Sequence, residues 1–282
     1  LALATIDAGH SNVATPYSFN SNQSMIHAMG WTELGISLGQ VLTPKKGRHF
    51  FKAGLTLKYL GGTADSYLRM NNITGTVGNT GGTNYITGPA SGAILLNSTN
   101  TDNFSDYHIG DLLKFRGSGI GGDIGFVYEW RPPANYSMYE TDRFANKYKI
   151  KVGVALMDVG MIKFNKPGNI ATYYQVDIPA PDQYDLNRFS GKSISDFKAV
   201  LDASPGYFIS GQPKTSSYSV NLPTTLQADL DWLPGAGIGL NFAARVNLYH
   251  SGYFRLYDFN AYSFTPRWEN RLFSVELPLN YN

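Results

Sequence analysis

Residues 217–232, SYSVNLPTTLQADLDW, place Tyr218, Val220, Leu222, Thr224, Leu226, Ala228, Leu230 and Trp232 at alternate positions. Between them fall Ser217, Ser219, Asn221, Pro223, Thr225, Gln227, Asp229 and Asp231. Side chains alternate across a β-strand, so this pattern describes one strand with an apolar face and a polar face. It runs about 15 residues, against ~5–6 for a strand of a soluble sheet. At ~3.3 Å per residue it rises ~50 Å, or about 35 Å along a membrane normal at a ~45° tilt, enough to cross an apolar band of ~25 Å.

The pattern recurs. Residues 31–42, 50–60, 119–130, 148–156, 236–248, 254–266 and 272–281 each set bulky apolar residues against Gly, Ser, Asn and charged residues. With 218–232 this makes about eight long strands. A soluble sandwich also alternates, with shorter strands and turns every ~8–12 residues. The length of these strands, and the glycines on their polar faces (Gly35, Gly39, Gly54, Gly121, Gly125, Gly153, Gly237, Gly239), suit instead a crowded, curved interior. The expected fold is all-β: a transmembrane, antiparallel, up-and-down β-barrel.

Composition fits that reading. Charged residues are 16% of the 282 and aromatics 14%, with no cysteine and a net charge of +2. That balance gives nucleic acid no basic surface to bind, and the missing thiols exclude disulfides and thiolate metal sites. No apolar run reaches the ~20 residues of a transmembrane helix. The polar faces carry Glu33, Lys52, Lys58, Asp123, Glu129, Lys149, Lys151, Asp229, Asp231, Arg245 and Glu276, near-balanced in sign, and are expected to pair across a filled lumen. Trp31, Tyr59, Trp130, Tyr148, Tyr218, Trp232 and Tyr249 fall at strand ends, where aromatic girdles meet the membrane interface.

Two long connections, about 61–118 and 157–217, are expected outside the cell, with the turns at 43–49, 131–147, 234–237 and 265–271 periplasmic. That orientation runs strand 31–42 downward and strand 272–281 upward. A single-chain barrel starts and ends on the periplasmic side, so at least ten strands are expected in the full protein, with 1–282 part of one barrel domain incomplete at both ends. The first connection, rich in Asn, Thr and Gly over 71–103, is expected to be disordered or to extend the flanking hairpin. In the second, Ser193 and Asp196 form a capping-box pattern ahead of Ile194, Phe197, Val200 and Leu201 on one helical face, and Pro205–Gly206 end it.

No catalytic arrangement emerges. The histidines at 10, 27, 49, 108 and 250 have no metal-ligand spacing, and SGIGGDIG (118–125) lies within a strand pattern with no lysine or following helix. No cofactor, no metal and no enzymatic activity are expected.

The segments HFFKAGLTLKYLGG (49–62), GFVYEWRP (125–132), NKYKIKVGVALMDVGMIKF (146–164), YSVNLPTTLQADLDW (218–232) and TPRWENRLFSVELPLNY (265–281) resemble a Bacteroidota outer-membrane family. Its barrel region is catalogued as a domain of unknown function, and many members carry a C-terminal OmpA-like, peptidoglycan-binding domain. The resemblance implies an outer-membrane location and contact with outer-membrane lipid and lipopolysaccharide. It also implies possible attachment to peptidoglycan through a domain outside this sequence. The expected role is structural: a scaffold, an envelope anchor or an accessory subunit of a larger outer-membrane complex with other outer-membrane proteins. The alternative is a channel or transporter for small or hydrophobic solutes.

Overall fold

The structure, a computed structural model, describes residues 16–43, 47–99, 109–132, 148–211, 216–248, 259–270 and 273–281. Among these the chain is all-β with one short helix. The strands are β1 (Tyr17–Val41), β2 (His49–Thr80), β3 (Thr83–Ser98), β4 (Gly117–Trp130), β5 (Ile150–Phe164), β6 (Ile170–Ile178) and β7 (Gln183–Asp185). The helix α1 (Ile194–Asp202) follows, then β8 (Phe208–Ser210), β9 (Tyr218–Asn221), β10 (Thr225–Gly235), β11 (Ile238–Asn247), β12 (Ala261–Glu269), β13 (Ser274–Glu276) and β14 (Leu279–Tyr281). They form one 14-stranded antiparallel sheet whose order, β13-β12-β11-β10-β5-β4-β2-β3-β6-β8, is open at both ends, with β1 on β2, β14 on β12, β7 on β3 and β9 on β5. No helix is long and apolar enough to cross a membrane.

The chain divides into two compact units. Unit 2 comprises residues 33–60, 119–162 and 220–282. Once the strands of unit 1 are set aside, its neighbours follow chain order, β1-β2-β4-β5-β10-β11-β12, which is the up-and-down arrangement expected from the alternation. The pairing register aligns like with like: Leu230 sits between Val152 and Phe242, and Asp229 between Gly153 and Ala243. Each strand therefore presents its apolar side chains to one face and its small and charged ones to the other.

Proline shortens two of the expected strands. Residues 218–232 are not continuous: Pro223 lacks the N–H a ladder needs, and the run divides into β9 and β10. Opposite the break, Asp158 takes φ 55° and Thr224 Oγ1 donates to its carbonyl at 2.9 Å. Pro278 likewise divides 272–281 into β13 and β14. Of the expected strand 254–266, residues 254–258 lie outside the described set, and β12 instead continues through Thr265–Glu269, which had been assigned to a turn.

Unit 1, residues 1–32, 61–118 and 163–219, takes in much of the two long connections, and of the two readings given for the first, the extended hairpin is the one that forms. Residues 61–80 continue β2 without interruption and turn back into β3 at Gly81–Gly82. Both glycines have positive φ, 61° and 83°, as the two-residue turn that best matches strand twist requires. Residues 170–210 add β6, β7, α1 and β8 to the edge of β3. β1 begins at Tyr17, well before the expected start at residue 31.

The helix forms where its capping pattern placed it. The Ser193 side chain and the Asp196 side chain satisfy each other's backbone N–H, completing the box. Its apolar face puts Leu201, 1% exposed, into a core with Met70, Ile86, Tyr174, Val176 and Phe208, and Phe197 and Val200 pack against that core. Burying a side chain such as Leu201 contributes about 1.5–3 kcal/mol. This core is what the Asn/Thr/Gly-rich hairpin and the second excursion share.

Candidate functional site: a charged face and an apolar cavity

In unit 2 the apolar face is exposed. Leu34 is 75% accessible, Ile36 72%, Leu57 64% and Ile120 78%, and Phe126, Leu230 and Phe242 are exposed beside them. The opposite face borders an open cavity of about 830 Å³, lined by small residues that include Gly54, Gly125, Gly153, Ala155 and Ala243 and by Lys52, Gln227, Asp229 and Arg245.

Charges on this face form three groups that bridge strands. In the first, Lys58 Nζ on β2 reaches Glu33 on β1 at 3.4 Å, Asp123 on β4 at 3.1 Å and Asp158 on β5 at 2.7 Å. The Asp158 backbone N–H donates to Asp123 Oδ1 at 2.8 Å, which holds that carboxylate against β5. In the second, Lys52 donates to Glu129 at 2.6 Å, and Arg131 grips the other Glu129 oxygen while its guanidinium lies 3.8 Å from the centre of the Phe50 ring. In the third, Arg267 on β12 makes a bidentate contact with Asp231 on β10, at 2.8 and 3.0 Å, and a further bond to Glu269 at 3.2 Å.

The glycines explain the reach of these side chains. β11 lies between β10 and β12, and Gly239 is the residue directly beside Arg267. A Cβ at Gly239 would stand 2.7 Å from the Arg267 guanidinium carbon, so only hydrogen lets that side chain lie flat over the middle strand to reach Asp231. Gly153 does the same beneath the carboxylate of Asp229.

The sequence-predicted charges are thus partly gathered. Glu33, Lys58 and Asp123 meet, as do Lys52 and Glu129; Asp231 is paired with Arg267. Asp229 and Arg245 wall the cavity. Lys149 precedes β5 and holds Leu233 through its backbone carbonyl, while Lys151 Nζ lies 5.6 Å from the Tyr148 ring centre. Glu276 is exposed on β13, opposite Arg267 in register, and accepts from Ser274 at 3.4 Å. Asp158, Arg131, Arg267 and Glu269 were missed because they fall in segments assigned to loops and turns.

The aromatics divide too. Tyr59 and Trp232 are exposed, at 47% and 42%, and Trp130 ends β4 half-buried. Trp31 is half-buried in the middle of β1 rather than at its end. Tyr148 turns to the charged face, donating to Asp231 at 2.6 Å. Tyr218 is buried, 7% exposed, and stacks on Phe164 with ring centres 5.3 Å apart. Tyr249 lies outside the described residues.

Unit 1 holds a second, unlike cavity of about 310 Å³ within its core, bounded by β1, β2, β3, β6, α1 and β8. From that core, Tyr174 donates to Asp202 of α1 at 2.7 Å; burial and this bond push the phenol well above its ordinary range. Elsewhere in unit 1, His27 and Asp65, both buried, pair at 2.7 Å. Among the described residues no group of three or more acidic or histidine side chains is placed to hold a metal ion.

No curated protein and no solved structure matches this chain. A family model described as a family of unknown function, DUF5723, matches residues 2–282. The chain therefore belongs to the DUF5723 family.

Proposed function

We propose that the chain forms a non-enzymatic outer-membrane β-barrel that serves as a structural or accessory component of a larger outer-membrane assembly. The observation that carries the membrane part is the exposed apolar face of unit 2 opposite a face of compensated charge. In water, a contiguous surface of Leu34, Ile36, Leu38, Leu55, Leu57 and Ile120 exceeds what soluble monomers present, and each such residue forgoes about 1.5–3 kcal/mol of burial. Lipid removes that cost. With the apolar face outward, the Lys58, Glu129 and Arg267 groups face inward, and their pairing across strands suits a braced interior rather than a pore with a ring of one charge. Outer-membrane lipid and neighbouring outer-membrane proteins are the proposed partners; a tether to peptidoglycan requires a domain beyond these residues.

A second reading, solute passage, draws on the open cavity of about 830 Å³ and its lining of glycine and alanine. Two measurements separate them. Purification from native outer membranes in mild detergent, followed by mass spectrometry, yields stoichiometric partner proteins under the accessory reading. Large, reproducible conductance from the isolated protein in planar bilayers contradicts that reading and favours passage.

A further inference from the structure

We propose that the cavity in unit 1 binds one long hydrocarbon chain bearing an uncharged polar head, of the long-chain alcohol class. The proposal goes beyond the structural role above; the cavity does not depend on that role, and only the test in nanodiscs rests on the membrane reading.

The cavity lies inside a packed core. Its walls include Met70, Ile86, Val176, Phe197, Leu201 and Phe208, of which Leu201, Val176 and Phe208 are at most 5% exposed. Protein interiors pack as densely as organic crystals, and voids larger than a water are few. At about 310 Å³ this one falls in the range of small-molecule sites. Along the hydrocarbon part of the lining water has nothing to bond to, whereas an apolar molecule regains the dispersion contacts that the lining otherwise lacks. The volume suits a single chain.

The head group follows from what is missing and what is present. No charged side chain lines the cavity among the described residues. A carboxylate drawn in there would lose its hydration with no cation to replace it. The polar lining is neutral and comes chiefly from one stretch of β1, Asn20, Ser21 and Ser24, with Ser21 Oγ and Ser24 Oγ 2.8 Å apart. Hydroxyl and amide groups at one wall, and hydrocarbon elsewhere, match an alcohol head on an alkyl tail.

The test uses the full chain in phosphatidylcholine nanodiscs and a hexadecanol analogue with a photoreactive diazirine near its methyl end. After illumination, digestion and mass spectrometry, adducts are expected on peptides containing Ile86, Val176 and Phe197, and excess unlabelled hexadecanol is expected to suppress them. Val176→Trp fills the cavity and is expected to reduce these adducts about tenfold. Ser21→Asp, at a half-buried position on β1, leaves the core intact and places a charge at the head group; it is expected to lower labelling several-fold. The matching hexadecanoate analogue is expected to label several-fold less than the alcohol. Adducts confined to exposed residues such as Leu57 and Ile120, or core labelling unchanged by Ser21→Asp, would overturn the site. Equal labelling by the carboxylate would overturn the head-group assignment.

Discussion

Lys58 Nζ lies 2.7 Å from Asp158 Oδ1 although β4 runs between their strands, and Asp123 of that middle strand lies 3.1 Å from the same nitrogen. One ammonium thus links β1, β2, β4 and β5. Lys58 is only 11% exposed, so its charge is little screened and its removal leaves three carboxylates together. Lys58→Met is expected to cost about 1–3 kcal/mol, less than the ~3–5 kcal/mol of a fully buried pair because Glu33 and Asp158 are partly solvated. Denaturant unfolding of the protein refolded in vesicles checks this. A loss below about 1 kcal/mol would mean that solvent fully screens the cluster.

Gly239→Leu tests the path of Arg267. A side chain there occupies the space over which the guanidinium lies. The substitution is expected to destabilise unit 2 by about 1–3 kcal/mol. A double-mutant cycle between Arg267→Met and Asp231→Asn should show coupling in the parent and almost none in the Gly239→Leu background. Equal coupling in both would place the Arg267–Asp231 contact on another route.

The β10–β11 turn holds Ala236 at φ 55°, ahead of Gly237 at φ 76°. An alanine in the left-handed region costs about 1–2 kcal/mol that glycine does not. Ala236→Gly is therefore expected to stabilise by about 0.5–1 kcal/mol, after the added unfolded-state entropy of glycine is subtracted. Unfolding midpoints decide the sign.

Tyr174 sets an alkaline limit on unit 1. Burial, then its bond to Asp202, hold the folded phenol above its ordinary range. A group whose folded pKa is raised adds stability below its unfolded value, near 10, and loses it as pH rises through the folded value. Hydrogen exchange of α1 is expected to be constant to about pH 10 once corrected for intrinsic rates, and to quicken above it. Tyr174→Phe should remove that rise. An unchanged rise in the variant would assign it elsewhere.

Much of unit 2 was legible because period-two alternation is a local signal, and Leu226 to Leu230 or Ile238 to Leu248 carry it plainly. What escaped has physical causes. Pro223 and Pro278 keep the alternation while removing a ladder hydrogen bond, so pattern outran pairing. Gly81–Gly82 is a hairpin-turn signature, but the Asn, Thr and Gly around it hid strands whose apolar side is supplied sparsely, by Met70, Ile73 and Val77. Asp158 and Arg267 lay past the segments whose alternation was clear. The unit 1 cavity joins residues from Tyr17 to Phe208, and no local window of sequence contains it.

The most direct test of the central claim is the environment of the two faces of unit 2. The chain has no cysteine, so single cysteines can be introduced and spin-labelled at Ile36, Leu57 and Ile120, and at Gln227 and Ala243, in reconstituted vesicles. The account predicts that oxygen, which concentrates in lipid, relaxes the first three labels far more than a water-soluble nickel complex does, with the reverse at the last two. Nickel-dominated relaxation at Ile36, Leu57 and Ile120 would contradict a lipid-facing apolar surface and the membrane barrel with it.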